Sequence, residues 1–166
     1  EELLEPVRST GRIDLVKDVS SIFPTRVISR MIGIPPNSDR ERRFRELSDL
    51  SIHLFSPLLP EADRIVGLRA KEELIELVTG VIDDHARAPR EDMLSALLAA
   101  EEGGERLTRK ELVSLIQGLI MAGSETTTSA FGLGVWLLLS HPEQLEFYRK
   151  QPERKRASIE EVLRVQ

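Results

Sequence analysis

The feature that most limits how this chain can fold is the stretch from Arg109 to Ser140. It carries Leu112, Val113, Leu115, Ile116, Leu119, Ile120 and Met121, and later Phe131, Leu133, Val135, Trp136, Leu137, Leu138 and Leu139. These residues cover more than one face of a helix, so the helix must be buried in a protein interior or in lipid. At 1.5 Å per residue the element would be about 48 Å long. Glu125 divides it into two uncharged runs, 112–124 and 126–140, each shorter than the roughly 20 residues that a membrane span needs. The expectation is a central helix buried in an all-α core, with no membrane contact.

Punctuation elsewhere also marks helices. Pro24 suits the first turn of a helix through Met31, which Gly33 and Pro35-Pro36 end. A second helix is predicted over 39–55, with Phe44, Leu47, Leu50 and Leu54 along one stripe. Pro57 and Pro60 separate it from a third over 61–87, whose apolar residues include Ile65, Leu68, Leu74, Val78, Val81 and Ile82. A short helix from Asp92 to about Glu101 is expected to end at Gly103-Gly104, and Thr108 to Glu111 spells a capping box for the long helix. His141-Pro142 ends that helix and starts another, and a last one is predicted from about Ser158 to Gln166. No strand of note is expected.

Composition excludes several functions. There is no cysteine among the 166 residues, so disulfides, thiolate metal sites and cysteine nucleophiles cannot form. With 23 Lys and Arg against 28 Asp and Glu, the net charge of −5 argues against nucleic acid as a partner. The acidic first residues are unlike a signal peptide, and a cytoplasmic location is expected. His53, His85 and His141 are predicted at surface or capping positions, with no metal-ligand spacing among them.

The middle of the long helix departs from helix rules. Ala122-Gly123-Ser124-Glu125-Thr126-Thr127 places a glycine, a carboxylate and β-branched residues where propensity would choose none of them. Local rules broken inside a well-formed element point to a functional site. Gly123 would let a flat group approach the backbone. A threonine could bond back to its own helix and bend it. Glu125 beside Thr126 could relay protons. A polar kink that registers several helices accounts for the same residues equally well.

This segment resembles the (Ala/Gly)-Gly-x-(Asp/Glu)-Thr-Thr signature of the cytochrome P-450 central helix. Other landmarks follow in the family's order. Pro24-Thr25-Arg26-Val27-Ile28 with Met31 to Pro35, Asp92 to Leu98, His141-Pro142-Glu143-Gln144-Leu145 and Glu161-Val162-Leu163-Arg164 all match. The resemblance implies a single partial domain over residues 1–166, an internal, all-α, multi-helix fragment of a soluble bacterial-type member. It would run from about the D helix to the K helix, without the family's N-terminal helices or its C-terminal haem-binding region.

In such a parent monooxygenase, Ala122 and Gly123 would lie against the haem face, and Glu125 and Thr126 would deliver protons to bound dioxygen. Glu161 and Arg164 would form a structural pair, although Glu160 is also within reach of Arg164. Helices 39–55 and 61–87 would form a lid over a small hydrophobic substrate. The basic residues Arg149, Lys150, Arg154, Lys155 and Arg156 could dock a ferredoxin-type electron donor. Without a cysteine ligand this chain would bind no haem in the usual way and would be inactive by itself. Its exposed apolar faces would drive homo-oligomer formation. A stand-alone, non-catalytic helical module that binds a hydrophobic ligand or a protein partner is the competing reading.

Overall fold

The computed structural model describes residues 2–102 and 104–165. It is helical almost throughout: α1 (Glu5–Thr10), α2 (Phe23–Met31), α3 (Asp39–Ile52), α4 (Glu61–Arg87), α5 (Met93–Ala99), α6 (Arg109–Ser140), α7 (Pro142–Lys150) and α8 (Lys155–Val165). The chain divides into two compact units, Pro24–Ser124 and the residues up to Phe23 together with those from Glu125 onward. The division falls within α6.

In the Pro24–Ser124 unit, α2 ends where Gly33 turns left-handed at φ 73°. Ser38 then caps α3, its Oγ accepting from the Glu41 N–H at 3.1 Å. Glu41 itself is only 2% exposed. One carboxylate oxygen accepts from Ser29 Oγ at 3.1 Å and the other from the Asn37 N–H at 2.7 Å. These bonds satisfy a charge that would otherwise be costly to bury. They also brace Asn37, the described non-glycine residue with positive φ, at 57°. Because Ser38 serves both the helix start and the loop, donating to Pro35 O at 2.6 Å, Ser38→Ala is expected to cost about 1 kcal/mol in denaturant unfolding.

The core of this unit joins Ile28, Ile32 and Ile34 to Phe44, Leu47, Leu74, Val78, Val81, Ile82, Leu94, Leu112, Ile116 and Ile120. Helix α4 approaches the end of α3 closely at Gly67, where a Cβ would lie 3.3 Å from Leu50 O and 2.8 Å from Leu54 Cδ2 in the turn that follows α3. The expected α3 stripe is only partly buried. Leu50 is exposed, and Glu41 and Ser48 take inner places beside Phe44 and Leu47. Likewise Ile65 and Leu68 on α4 face solvent, because the α4 core begins at Ala70 and Leu74.

The expected capping box forms. Thr108 N–H donates to Glu111 Oε2 at 2.8 Å, and Thr108 Oγ1 accepts from the Glu111 N–H at 3.3 Å. The short helix ends at Ala99, and Glu101–Glu102 pairs antiparallel with Glu105–Arg106, a two-stranded ladder that helical periodicity did not suggest. Of the glycine pair expected there, Gly103 lies outside the described residues.

In the other unit, a π-helical turn, Leu15–Ser20, is capped by Asp14, whose Oδ1 accepts from the Val16 and Lys17 N–H groups at 3.1 and 3.0 Å. It packs on α6 beside Gly132, where Val16 and Ser20 come within ordinary van der Waals reach of a Cβ position. Phe23 and Phe131 stack nearby, their centroids 6.5 Å apart. Helix α8 begins at Lys155, three residues before the predicted Ser158, after a 3₁₀ turn at Pro152–Arg154.

The expectation of a long helix buried throughout holds only for its first half. Leu112, Val113, Ile116 and Ile120 are buried, but Leu133, Trp136 and Leu139 are exposed, Trp136 by 63%. The physical reason is a shortage of cover, since α7 and α8 contribute no buried residue. Among the described residues, no helix is long and apolar enough to cross a membrane.

Candidate functional site

The signature residues lie in the middle of α6, which is α-helical from Arg109 to Ser140. In the Pro24–Ser124 unit, Ala122 is exposed and Gly123 half-buried, with Ile28 Cδ1 3.3 Å from the position a Cβ would take. A larger side chain at 123 would push on α2. Ser124 is buried, and its hydroxyl has no hydrogen-bond partner among the described residues.

From Glu125 onward the residues belong to the other unit. Glu125, Thr126 and Thr127 are all exposed. The expected desolvation cost of a carboxylate in mid-core is therefore absent, because this half of α6 is open to solvent. Thr128 donates its Oγ1 hydrogen to Ser20 O at 2.9 Å, tying α6 to the π turn.

Thr126 and Thr127 open onto a groove of about 520 Å³, also lined by Phe131 and Leu138 of α6, Tyr148 of α7, and Ser158, Ile159 and Val162 of α8. The surface is mainly apolar, with a few hydroxyls able to orient a guest, which is the usual make-up of a small-molecule site. Glu125 does not line it. Sequence reasoning missed Tyr148 and Ser158. Each stands next to an apolar residue on a predicted helix, Phe147 and Ile159 respectively, and Tyr148 is the chain's sole tyrosine.

Glu161 and Arg164 form a two-pronged ion pair, Arg164 Nε and Nη2 each donating at 2.7 Å to one carboxylate oxygen. Arg164 thus pairs with Glu161, and its guanidinium, chiefly through hydrogen bonding, holds the Glu161 carboxyl below the usual range. Both side chains are largely solvated, so the pair stands on an open face of α8. The neighbouring basic residues are partly engaged with aromatic rings, Arg154 over Phe147 and Lys155 over Tyr148.

Ala122 is exposed, whereas the side of Gly123 that lacks a Cβ is taken up by Ile28 of α2. An axial ligand is a separate matter. The chain has no cysteine, and no group of three or more potential metal ligands gathers among the described residues. His53 is exposed, and His141 donates from Nδ1 to Leu137 O at 2.9 Å. His85 corrects its expected surface placement. It is 1% exposed on the inner face of α4, with its Nε2 2.8 Å from Asp92 Oδ2. The residues present therefore do not supply the thiolate that a haem of this kind takes.

Comparison with known proteins gives a consistent set of matches. The sequence model of the family described as Cytochrome P450 matches residues 3–155. Cytochrome P450 CYP107DY1 of Priestia megaterium is 37% identical over 163 residues, covering 98% of this chain and 38% of that protein. Epothilone C/D epoxidase of Sorangium cellulosum is 34% identical over 168 residues, covering 99% of this chain and 40% of that protein. Among solved structures, CYP109E1 of Bacillus megaterium in complex with testosterone superposes with a TM-score of 0.88 at 31% identity, covering 98% of this chain and 43% of that one. The chain spans about two fifths of the length of the curated relatives it matches.

Proposed function

The chain belongs to the cytochrome P450 family, and we propose that its residues form the oxygen-side wall and substrate lid of a haem monooxygenase. The observation that carries this reading is the sequence Ala122 to Thr127 midway along one uninterrupted α-helix. Bound haem supplies the oxygen activation by which such an enzyme hydroxylates a substrate C–H bond. Ala122 and Gly123 would rest against its face. Glu125, being exposed, can take a proton from water, and Thr126, on the next position, can pass it on through its hydroxyl. Helices α3 and α4 would cover a small hydrophobic substrate, and Glu161 with Arg164 would brace α8. The basic residues around Arg149 to Arg156 would meet a ferredoxin-type donor.

By itself the chain, a single partial domain on this reading, would be inactive, because none of its residues can supply a thiolate. A cytoplasmic location and self-association through Leu133, Trp136 and Leu139 complete the proposal. The groove beside Thr126 favours one second reading, a non-catalytic module that holds a hydrophobic ligand.

The test is a reduced, CO-bound difference spectrum. Hemin-loaded chain alone is expected to show no thiolate-type band. The same chain joined to the remaining segments of a bacterial relative, which would bring the cysteine, is expected to show one. A folded chimera of native-like circular dichroism without that band would sink the monooxygenase reading. Tight binding of a fatty acid or steroid by the chain alone would support the module.

A further inference from the structure

The π turn ends in a carbonyl that its usual partner cannot serve. Ser20 is 1% exposed, and residue 24, whose N–H an ordinary helix would bring to Ser20 O, is a proline without one. The ladder beside it also runs wide, the Ser21 N–H donating to Val16 O, five residues back, at 3.0 Å. A buried carbonyl without a donor is costly, and such groups are found paired in folded proteins. Here the donor comes from α6. Thr128 gives its Oγ1 hydrogen to Ser20 O at 2.9 Å, although 108 residues separate the two in sequence.

The rest of that contact is smooth. One turn further along α6, Gly132 meets the π turn, and Val16 Cγ2 and Ser20 Oγ lie 3.8 and 3.9 Å from the position a Cβ would take. Beside it Phe131 meets Phe23, their rings tilted by 32°. Such contacts hold two surfaces together but let one roll or slide on the other, whereas a hydrogen bond weakens steeply once its angle is lost. Thr128 is therefore the group that sets the roll and level of α6 against the turn.

What this setting governs lies on the other side of the same helix. At about 3.6 residues per turn, Thr126 stands roughly 160° around α6 from Thr128. Thr126 and Thr127 line the groove, with Thr128 behind them on the π turn. Glu125, directly before Thr126, is carried by the same stretch of helix. A roll of α6 about its axis displaces all of them together. In a transfer that depends on orientation, a shift of about 1 Å can cost roughly 10²-fold.

We propose that Thr128 is a positioning residue for the pair Glu125 and Thr126, fixing the roll of α6 by filling the Ser20 carbonyl that Pro24 cannot serve. It acts through the helix it anchors and takes no part in proton transfer itself. What the placement serves rests on the monooxygenase reading, whereas the placement itself does not.

Thr128→Val is the discriminating variant, nearly the same shape without the donor, and Thr128→Ser keeps the donor in a smaller side chain. Thr128→Ala repeats the loss should Thr128→Val not fold. In the full chain carrying 13C-methyl threonine, the Thr126 and Thr127 signals are expected to move in Thr128→Val. They should return near their native places in Thr128→Ser, with circular dichroism unchanged throughout. Amide protection over 127–133 should fall about tenfold in Thr128→Val alone, the scale of one hydrogen bond. In the chain completed with the remaining segments of a bacterial relative, product per electron consumed should fall about tenfold in Thr128→Val and recover in Thr128→Ser. Substrate affinity should stay unchanged, a pattern that mere loss of stability does not give. Threonine signals that stay in place in Thr128→Val, or move equally in Thr128→Ser, would overturn the proposal. So would a yield per electron that Thr128→Val leaves unchanged. A completed native chain without a thiolate-type band would defeat the monooxygenase reading instead, and the methyl signals would still decide whether Thr128 places Thr126.

Discussion

Gly33→Ala is expected to lower stability by about 3 kcal/mol, combining a left-handed backbone penalty of about 1–2 with an overpacking cost of similar size. At φ 73° a side chain is disfavoured in any surroundings, and here a methyl would also overlap the His85–Asp92 bond. Gly11 separates the two effects. It has nearly the same backbone, φ 66°, but nothing within 4 Å of the position a Cβ would take. Gly11→Ala should therefore carry only the backbone penalty, about 1–2 kcal/mol. Denaturant unfolding of the two variants measures the difference directly. Equal losses would mean that the turn can move off the buried pair without cost.

Thr126→Ala, made in the chain completed with a haem-thiolate segment, is expected to reduce substrate hydroxylation per electron consumed by about 10²-fold, the scale of a lost proton-transfer group. Thr126→Ser keeps the hydroxyl and should retain most of the coupling. Glu125 should respond differently because it is exposed. Glu125→Gln removes a proton donor that bulk solvent can partly replace, so its loss should be smaller and recover when a small carboxylic acid is added. Product yield measured against electrons consumed, with and without such an acid, separates the two roles. If acid rescued Thr126→Ala equally well, the order of the relay from carboxylate to hydroxyl would be wrong.

Much of the fold could be read from the sequence wherever a helix has both a period and a marked end. The starts expected at Asp39, at Glu61 after Pro60, and at the Thr108–Glu111 box match those of α3, α4 and α6. The π turn at Leu15–Ser20 was not legible, because the side chain of Asp14 directs it and no period announces that. His85 was readable in principle. It continues the inward series Val78, Val81, Ile82, so its position on α4 says more than its residue type. Glu125 is the opposite case, an exposed residue with apolar sequence on both sides. Apolar residues show only that a helix can be covered, and whether it is covered depends on the neighbours available to do so. The candidate site was legible as a motif, whereas its groove was not, since Tyr148 and Ser158 reach it through the placement of α7 and α8.

The buried carboxylate of Glu41 has a consequence for how sequences of this kind can drift. Ser29 and the Asn37 N–H answer it from two sides, while Ser29 Oγ also lies 2.9 Å from Arg26 O. Losing either side chain alone strands a polar partner in the interior, whereas replacing both by apolar residues of similar shape strands much less. Substitutions at positions 29 and 41 should therefore be strongly non-additive, each tolerated chiefly in the company of the other. Across related chains the two positions would be inherited as a linked pair, although twelve residues of sequence separate them.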